Sequence, residues 1–183
     1  PEDSLSLTDN VINALAEEKG RALWIASKNG INRLCQQTHR IRRYQDDKGL
    51  PQTIYYSVLV DRSGRIWAGS RYGVYLYESQ TDSFVRVFWK HKNQTFTAST
   101  IFEDTKGQFW VGTGGNGVYL CDQQMKVIRH YPNKHKKESS SGNDVTCFYE
   151  DYQGNIWIGY SQHGLVCVGP TGETVASYTR HNS

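Results

Sequence analysis

Four tryptophans, Trp24, Trp67, Trp110 and Trp157, stand 43, 43 and 47 residues apart, and the sequence nearly repeats around each of them. A period of roughly 40 to 50 residues restricts a chain to propeller blades or helical solenoids. The residues after each tryptophan decide between the two. They read Trp24-Ile25-Ala26-Ser27, Trp67-Ala68-Gly69-Ser70, Trp110-Val111-Gly112-Thr113 and Trp157-Ile158-Gly159-Tyr160, and a further glycine follows at Gly30, Gly73, Gly117 and Gly164. Two glycine-punctuated turns within about 14 residues leave no room for a helix, and the β-forming residues between them read as strands.

Upstream of the tryptophans the register repeats as well. Gly64, Gly107 and Gly154 lie three residues before, and Asp61, Asp104 and Asp151 six before. Asp-x-x-Gly is turn chemistry: the carboxylate accepts hydrogen bonds from the backbone N–H groups of the turn it opens, and glycine supplies the positive φ that other residues avoid. A catalytic or calcium-binding carboxylate at any one copy is the competing reading, and recurrence in three copies argues against it. The first copy reads as carrying one extra residue, with Glu17, Glu18 and Gly20 in the corresponding turn. Downstream, an aromatic at Tyr44, Phe88, Tyr131 and Tyr178 closes each repeat, with Ile41, Val85, Ile128 and Val175 three residues before it.

After a lead-in over residues 1–9, four strands are predicted per repeat: 10–16, 23–27, 31–35 and 40–44 in the first; 54–60, 66–70, 74–77 and 84–89 in the second; 98–103, 109–113, 118–121 and 127–131 in the third; 145–150, 156–160, 165–168 and 174–178 in the fourth. Four short antiparallel strands per repeat make a propeller blade. The expected fold class is therefore all-β, a β-propeller array of four blades of four antiparallel strands. One partial propeller domain spans 1–183, with blades at about 10–50, 51–94, 95–142 and 143–183. A lone meander is marginal in water, so each blade must stack on a neighbour. The two end faces of such an array need covering, by a second copy or by remaining blades of a parent protein.

Composition excludes more than it selects. A net charge of +3 does not by itself imply nucleic acid, and none is expected as a partner. There is no run of 18 apolar residues and no charged-apolar-small leader, so no membrane span and no export signal is expected within the chain. Cys35, Cys121, Cys147 and Cys167 form no CxxC and do not pair with histidines at zinc-ligand spacing, so they read as small buried hydrophobes and no metal or cofactor is expected.

The strand, Asp-x-x-Gly-x-Ile/Phe-Trp-Ile/Val-Gly-Thr/Ser, Gly-Val/Leu and closing-aromatic pattern resembles the two-component regulator propeller repeat, over about Asn10 to Tyr178. Copies two to four match well; the first departs at its initial turn and has Ala26 where the others have glycine. The resemblance implies a fragment of the periplasmic sensor region of a hybrid two-component sensor. Such sensors detect breakdown products of complex carbohydrates and pass the signal to kinase and DNA-binding modules. It implies ligand sensing without catalysis by this fragment. Streptogramin-lyase-like propellers share a blade of similar length and use a histidine near a metal, which makes His163 the residue of an enzymatic alternative; a protein-binding scaffold is the third reading.

In a four-stranded meander the turns between second and third strands and the links between blades emerge on one face. That face collects Lys28 and Asn29, Arg71 and Tyr72, Asn116, and His163, with the links Lys90-His91-Lys92 and Lys134-His135-Lys136-Lys137. The opposite turns carry Glu17, Glu18, Asp61, Asp82, Asp104 and Asp151. A one-sided basic surface attracts anions, although lysine-rich links are equally compatible with plain solvation. The residues ahead of the turn glycines differ between copies while the frame repeats, which is how a symmetrical scaffold makes an asymmetric site. The expected ligand is an oligosaccharide, acidic or sulfated, held by Lys28, Asn29, Arg71, Tyr72, Asn116 and His163.

Overall fold

The computed structural model describes residues 5–87, 96–132 and 144–180. Sixteen strands form four separate four-stranded sheets, each an antiparallel meander in sequence order. The first sheet holds β1 (Ile12–Glu18), β2 (Ala22–Ser27), β3 (Gly30–Cys35) and β4 (Ile41–Tyr44), the second β5 (Tyr55–Val60), β6 (Ile66–Ser70), β7 (Gly73–Glu78) and β8 (Ser83–Arg86). The third holds β9 (Ala98–Glu103), β10 (Phe109–Thr113), β11 (Val118–Cys121) and β12 (Val127–Tyr131), the fourth β13 (Val145–Glu150), β14 (Ile156–Tyr160), β15 (Leu165–Val168) and β16 (Thr174–Tyr178). Between the first two sheets a three-residue 3-10 helix, Asp46–Lys48, ends on Gly49 at φ 78°; the sequence does not announce it. The chain forms two compact units, Pro1–Ile101 and Phe102–Ser183.

The aspartate turns are as the sequence requires. In the second sheet Asp61 Oδ1 accepts from the backbone N–H groups of Ser63 and Arg65, both at 2.9 Å. Asp104 Oδ1 does the same for Lys106 and Gln108 at 3.0 and 2.8 Å, and Asp151 Oδ1 for Gln153 and Asn155 at 2.9 Å. Gly64, Gly107 and Gly154 have φ of 81°, 73° and 78°, the left-handed region that costs other residues most.

The first copy corrects the expectation of an extra residue. Glu18 pairs with Ala22 across a three-residue loop, the same length as the loop closed by the Asp61 N–H donating to the Arg65 carbonyl at 2.9 Å. What changes is the glycine, which moves one place earlier to Gly20 at φ 69°. Glu18, not Ala16, is accordingly the last residue of its strand. The closing aromatic also needs correction in one copy. Tyr44 lies opposite Ile31, Tyr131 opposite Val118 and Tyr178 opposite Leu165. In the second sheet the Val87 N–H donates to the Val74 carbonyl at 2.9 Å, so Val87 holds that place; Phe88 and Trp89 lie outside the described residues.

Blade-on-blade packing builds each core separately. In the first unit Trp24, fully buried, lies against Tyr44, Tyr77 and Phe84 with ring centroids 5.5, 4.9 and 6.0 Å away. Ile31 and Ala26 beside it meet Tyr55, Val58, Ile66 and Tyr75 of the next sheet. In the second unit Trp110 plays the same part among Leu120, Phe148, Ile156 and Ile158. Within each unit the tryptophan face of the first blade is thus covered by the opposite face of the second. The Trp157 face is not covered among the described residues: Tyr149 is 67% exposed and Tyr178 56%. A third correction concerns the cysteines, and the uncovered face explains it for Cys147. Cys121 and Cys167 are buried as expected, but Cys147 is exposed and Cys35 partly so. Cys147 lies opposite Gly159, two residues along β13 from the exposed Tyr149, on a face that no described residue covers.

Asp151 supplies a pH test. Hydrogen bonds from the Asn155 amide and the Trp157 indole, each at 2.9 Å, hold its carboxyl down at about 2 from 3.8. A depressed folded-state pKa contributes stability above the unfolded value, lost as pH falls through the folded one. The acid limb between pH about 4 and about 2 should therefore flatten in Asp151→Asn relative to the parent in urea titrations at fixed pH. A limb of unchanged steepness would show that other carboxylates carry it.

Candidate functional site

The turns between second and third strands are fastened by a hydroxyl. Ser27 Oγ donates to the Gly30 carbonyl at 2.9 Å and Ser70 Oγ to that of Gly73 at 3.2 Å, while Thr113 Oγ1 donates to the Gly117 carbonyl at 2.7 Å. The same oxygens accept from the turn backbone: the Asn29 N–H at 3.4 Å, Tyr72 at 3.0 Å and Asn116 at 3.0 Å. All three hydroxyl residues are buried. The fourth copy carries Tyr160 at this position and keeps only the backbone bond, Tyr160 N–H to Gly164 carbonyl at 2.9 Å. The sequence shows the hydroxyl but not its task; its signal is the spacing to the turn glycine, three residues in two copies and four in the third.

On this frame the candidate residues are placed as follows. In the first unit Lys28 and Asn29 occupy the β2–β3 turn, Arg71 and Tyr72 the equivalent β6–β7 turn. Lys28, Arg71 and Tyr72 are exposed. Asn29 is half-buried and engaged: its amide donates to Asp9 Oδ2 at 2.7 Å and its carbonyl accepts from Gln45 Nε2 at 2.9 Å. Its work is to tie the lead-in segment to the turn, and among the candidate residues of this unit the outward ones are Lys28, Arg71 and Tyr72. In the second unit Asn116 and His163 sit in the β10–β11 and β14–β15 turns. The Asn116 carbonyl lies 2.7 Å from His130 Nε2, and the His130 ring stacks on Tyr119 with centroids 4.2 Å apart. His163 lines a cleft of about 200 Å³ together with Tyr131, Tyr160 and Val166. The lysine-rich links Lys90-His91-Lys92 and Lys134-His135-Lys136-Lys137 lie outside the described residues.

The opposite turns are less acidic outwardly than their composition suggests. Asp61 and Asp104 are 4% and 3% exposed, and their second carboxylate oxygens accept the indole N–H of Trp67 and Trp110 at 2.8 and 2.9 Å. Glu18 does the same for Trp24 at 3.2 Å. Asp82 is held by the Tyr44 and Tyr77 hydroxyls at 2.9 and 2.7 Å and ion-paired with Arg42. These carboxylates are spent on structure, and the six-residue spacing from acid to tryptophan is the trace of that bond in the sequence. Among the described residues no group of three or more His, Cys, Asp or Glu is placed to hold a metal ion.

The two-component regulator propeller model matches residues 49–72 and 139–162. The fold is that of the extracellular domains of two hybrid two component systems from B. thetaiotaomicron. One superposes with a TM-score of 0.79 at 23% identity over 96% of this chain, the other with 0.77 at 18% over 95%. The chain spans 23% of the length of each. A computationally designed protein, Ika4, matches over 98% of both chains with a TM-score of 0.59 at 14% identity. No curated protein matches the chain. The two-component regulator propeller model thus matches two of the four copies of the repeated frame, those carrying Asp61 with Trp67 and Asp151 with Trp157.

Proposed function

We propose that this chain is a ligand-sensing, non-catalytic part of an extracytoplasmic sensor of hybrid two-component type, in the periplasm, and that it takes an acidic or sulfated oligosaccharide on its second-to-third-strand turns. The similarity to extracellular domains of such systems supports the sensor reading. The observation that carries the ligand reading is the contrast within these turns. The hydroxyl-to-carbonyl fastening recurs at Ser27, Ser70 and Thr113, while the exposed residues it carries are Lys28 in one turn and Arg71 with Tyr72 in the next. A guanidinium pairs bidentately with carboxylate or sulfate, and a tyrosine ring offers a face for a sugar. On the same reading the exposed Trp157 face receives a further blade, from the parent protein or from a second copy.

Titration calorimetry with a sulfated disaccharide and its unsulfated counterpart tests the ligand. Arg71→Ala should weaken the sulfated ligand by about tenfold, or 1.4 kcal/mol, with little change for the neutral one. Binding should also weaken as salt rises past about 0.15 M, where the screening length falls to about 8 Å. Equal losses for both ligands, or none, would remove Arg71 from the site. Binding of a protein partner in place of any glycan would favour the scaffold reading.

A further inference from the structure

The two units fill the space between their blades differently. In the first, the face laid over Trp24 and Tyr44 bears Tyr75, Tyr77 and Phe84, with Tyr75 and Phe84 buried. Their rings close the gap: Tyr77 and Phe84 stand 5.7 and 5.5 Å from Tyr44. The ladder identifies the equivalent positions in the fourth sheet. Tyr75 lies opposite Ala68 and Val166 opposite Ile158, in each case the residue after the tryptophan; Tyr75 faces Arg86 on the other side, and Val166 faces Ser177. Tyr77 pairs with Phe84, and Val168 with Thr174. Three aromatics and an arginine are thus replaced by Val166, Val168, Thr174 and Ser177. The result is the cleft of about 200 Å³ beside Tyr131.

We propose that this cleft binds one uncharged, ring-sized molecule, aromatic or alicyclic, that carries a single hydrogen-bonding group. Size sets the first limit, since an apolar cavity of about 150 Å³ holds a benzene ring. Chemistry sets the second. The floor is Ile158 and Val168, each 1% exposed, and one wall is the Tyr131 ring, fixed by stacking on Trp110 at 5.5 Å and by its hydroxyl bond to the Gly172 carbonyl. Tyr160, His163, Thr174 and Ser177 stand among the remaining lining residues. Among the described residues no lysine, arginine or carboxylate lines it, and burying an ion there without a partner would be costly. A sugar ring, with polar groups on every side, would leave several of them against Ile158 and Val168 unsatisfied. The cleft therefore differs in chemistry from the turn surface proposed for oligosaccharide, although His163 of the β14–β15 turn lines it.

The probe is p-cresol, followed by methyl chemical shifts of Val166 and Val168 in the whole chain, with benzoate as the charged comparison. Saturable shifts at both residues, with a Kd of about 1 mM or tighter and at least tenfold weaker binding of benzoate, are expected. Val166→Tyr, which restores the residue of the equivalent blade, should abolish the binding while the protein stays folded; if that variant does not fold, Thr174→Phe serves, and the parent's own methyl shifts stand without either. No shift at these methyls overturns the proposal. So does binding undiminished in a folded Val166→Tyr variant, or benzoate binding as tightly as p-cresol.

Discussion

Replacing Trp110 by alanine should lower the unfolding free energy by about 3–5 kcal/mol, the usual cost of deleting a buried large aromatic. The side chain is 4% exposed, stacked on Tyr131 at 22° between ring planes, and covered by Leu120, Phe148 and Ile156. Its removal opens a void between two blades, and neither sheet can collapse into it without breaking its own ladder. Against a total stability of about 5–15 kcal/mol for an ordinary domain, such a loss threatens folding. Trp157→Ala supplies the control. It has the same sequence context and the same bond to its aspartate, but it is only half-buried, on a face that no described residue covers. It should cost clearly less in urea denaturation followed by circular dichroism. Equal costs would mean that the motif, and not interblade packing, sets the contribution of tryptophan.

Asp104→Ala should be nearly as damaging, by about 3 kcal/mol. One carboxylate satisfies three donors: the N–H groups of Lys106 and Gln108 and the buried indole of Trp110. Each donor left unmet in a buried place costs about 1–3 kcal/mol. Asp104→Asn should fall between, because its amide oxygen can still accept from the backbone while its NH₂ group faces the indole N–H as a second donor. Asp104→Glu should be tolerated best, since Glu18 already accepts the Trp24 indole N–H in the first copy. Denaturation of the double variant Asp104→Ala, Trp110→Phe provides the check. Its cost should fall short of the two single costs added together, because the phenylalanine has no N–H to strand. Strict additivity would show that the aspartate acts on the turn alone.

Turns and strands were legible because they depend on local chemistry. Positive φ at Gly64, Gly107 and Gly154 and the Asp-x-x-Gly hydrogen bonds are fixed within five residues of chain, and the strand limits in the third and fourth sheets follow from them. The strand faces were harder to read. A spacing from tryptophan of 20 residues in one copy and 21 in others aligns Phe88 with the closing tyrosines, and only the ladder shows that Val87 stands opposite Val74. The extra residue in the first copy had a similar origin: a glycine one place early looks like an insertion until Glu18 is seen bonded to Trp24.

The candidate site was legible in part for the same reason. A turn's exposed residues can be named from the repeat, as with Lys28, Arg71 and Tyr72. Which of them is already engaged depends on segments distant in sequence, as with Asn29, which is tied to Asp9 and Gln45. The cleft beside Tyr131 depends on a comparison between blades. Val166 and Val168 are ordinary strand residues until their counterparts are found to be Tyr75 and Tyr77.

The proposed function puts the ligand on the second-to-third-strand turns. Amide and side-chain shift mapping of the whole chain during titration with a sulfated disaccharide tests it most directly. Saturable shifts are expected at Lys28, Arg71 and Tyr72, with the Asp61, Asp104 and Asp151 turns unmoved; shifts confined to those aspartate turns, or none at Arg71 and Tyr72 at saturation, would rule out the turn site.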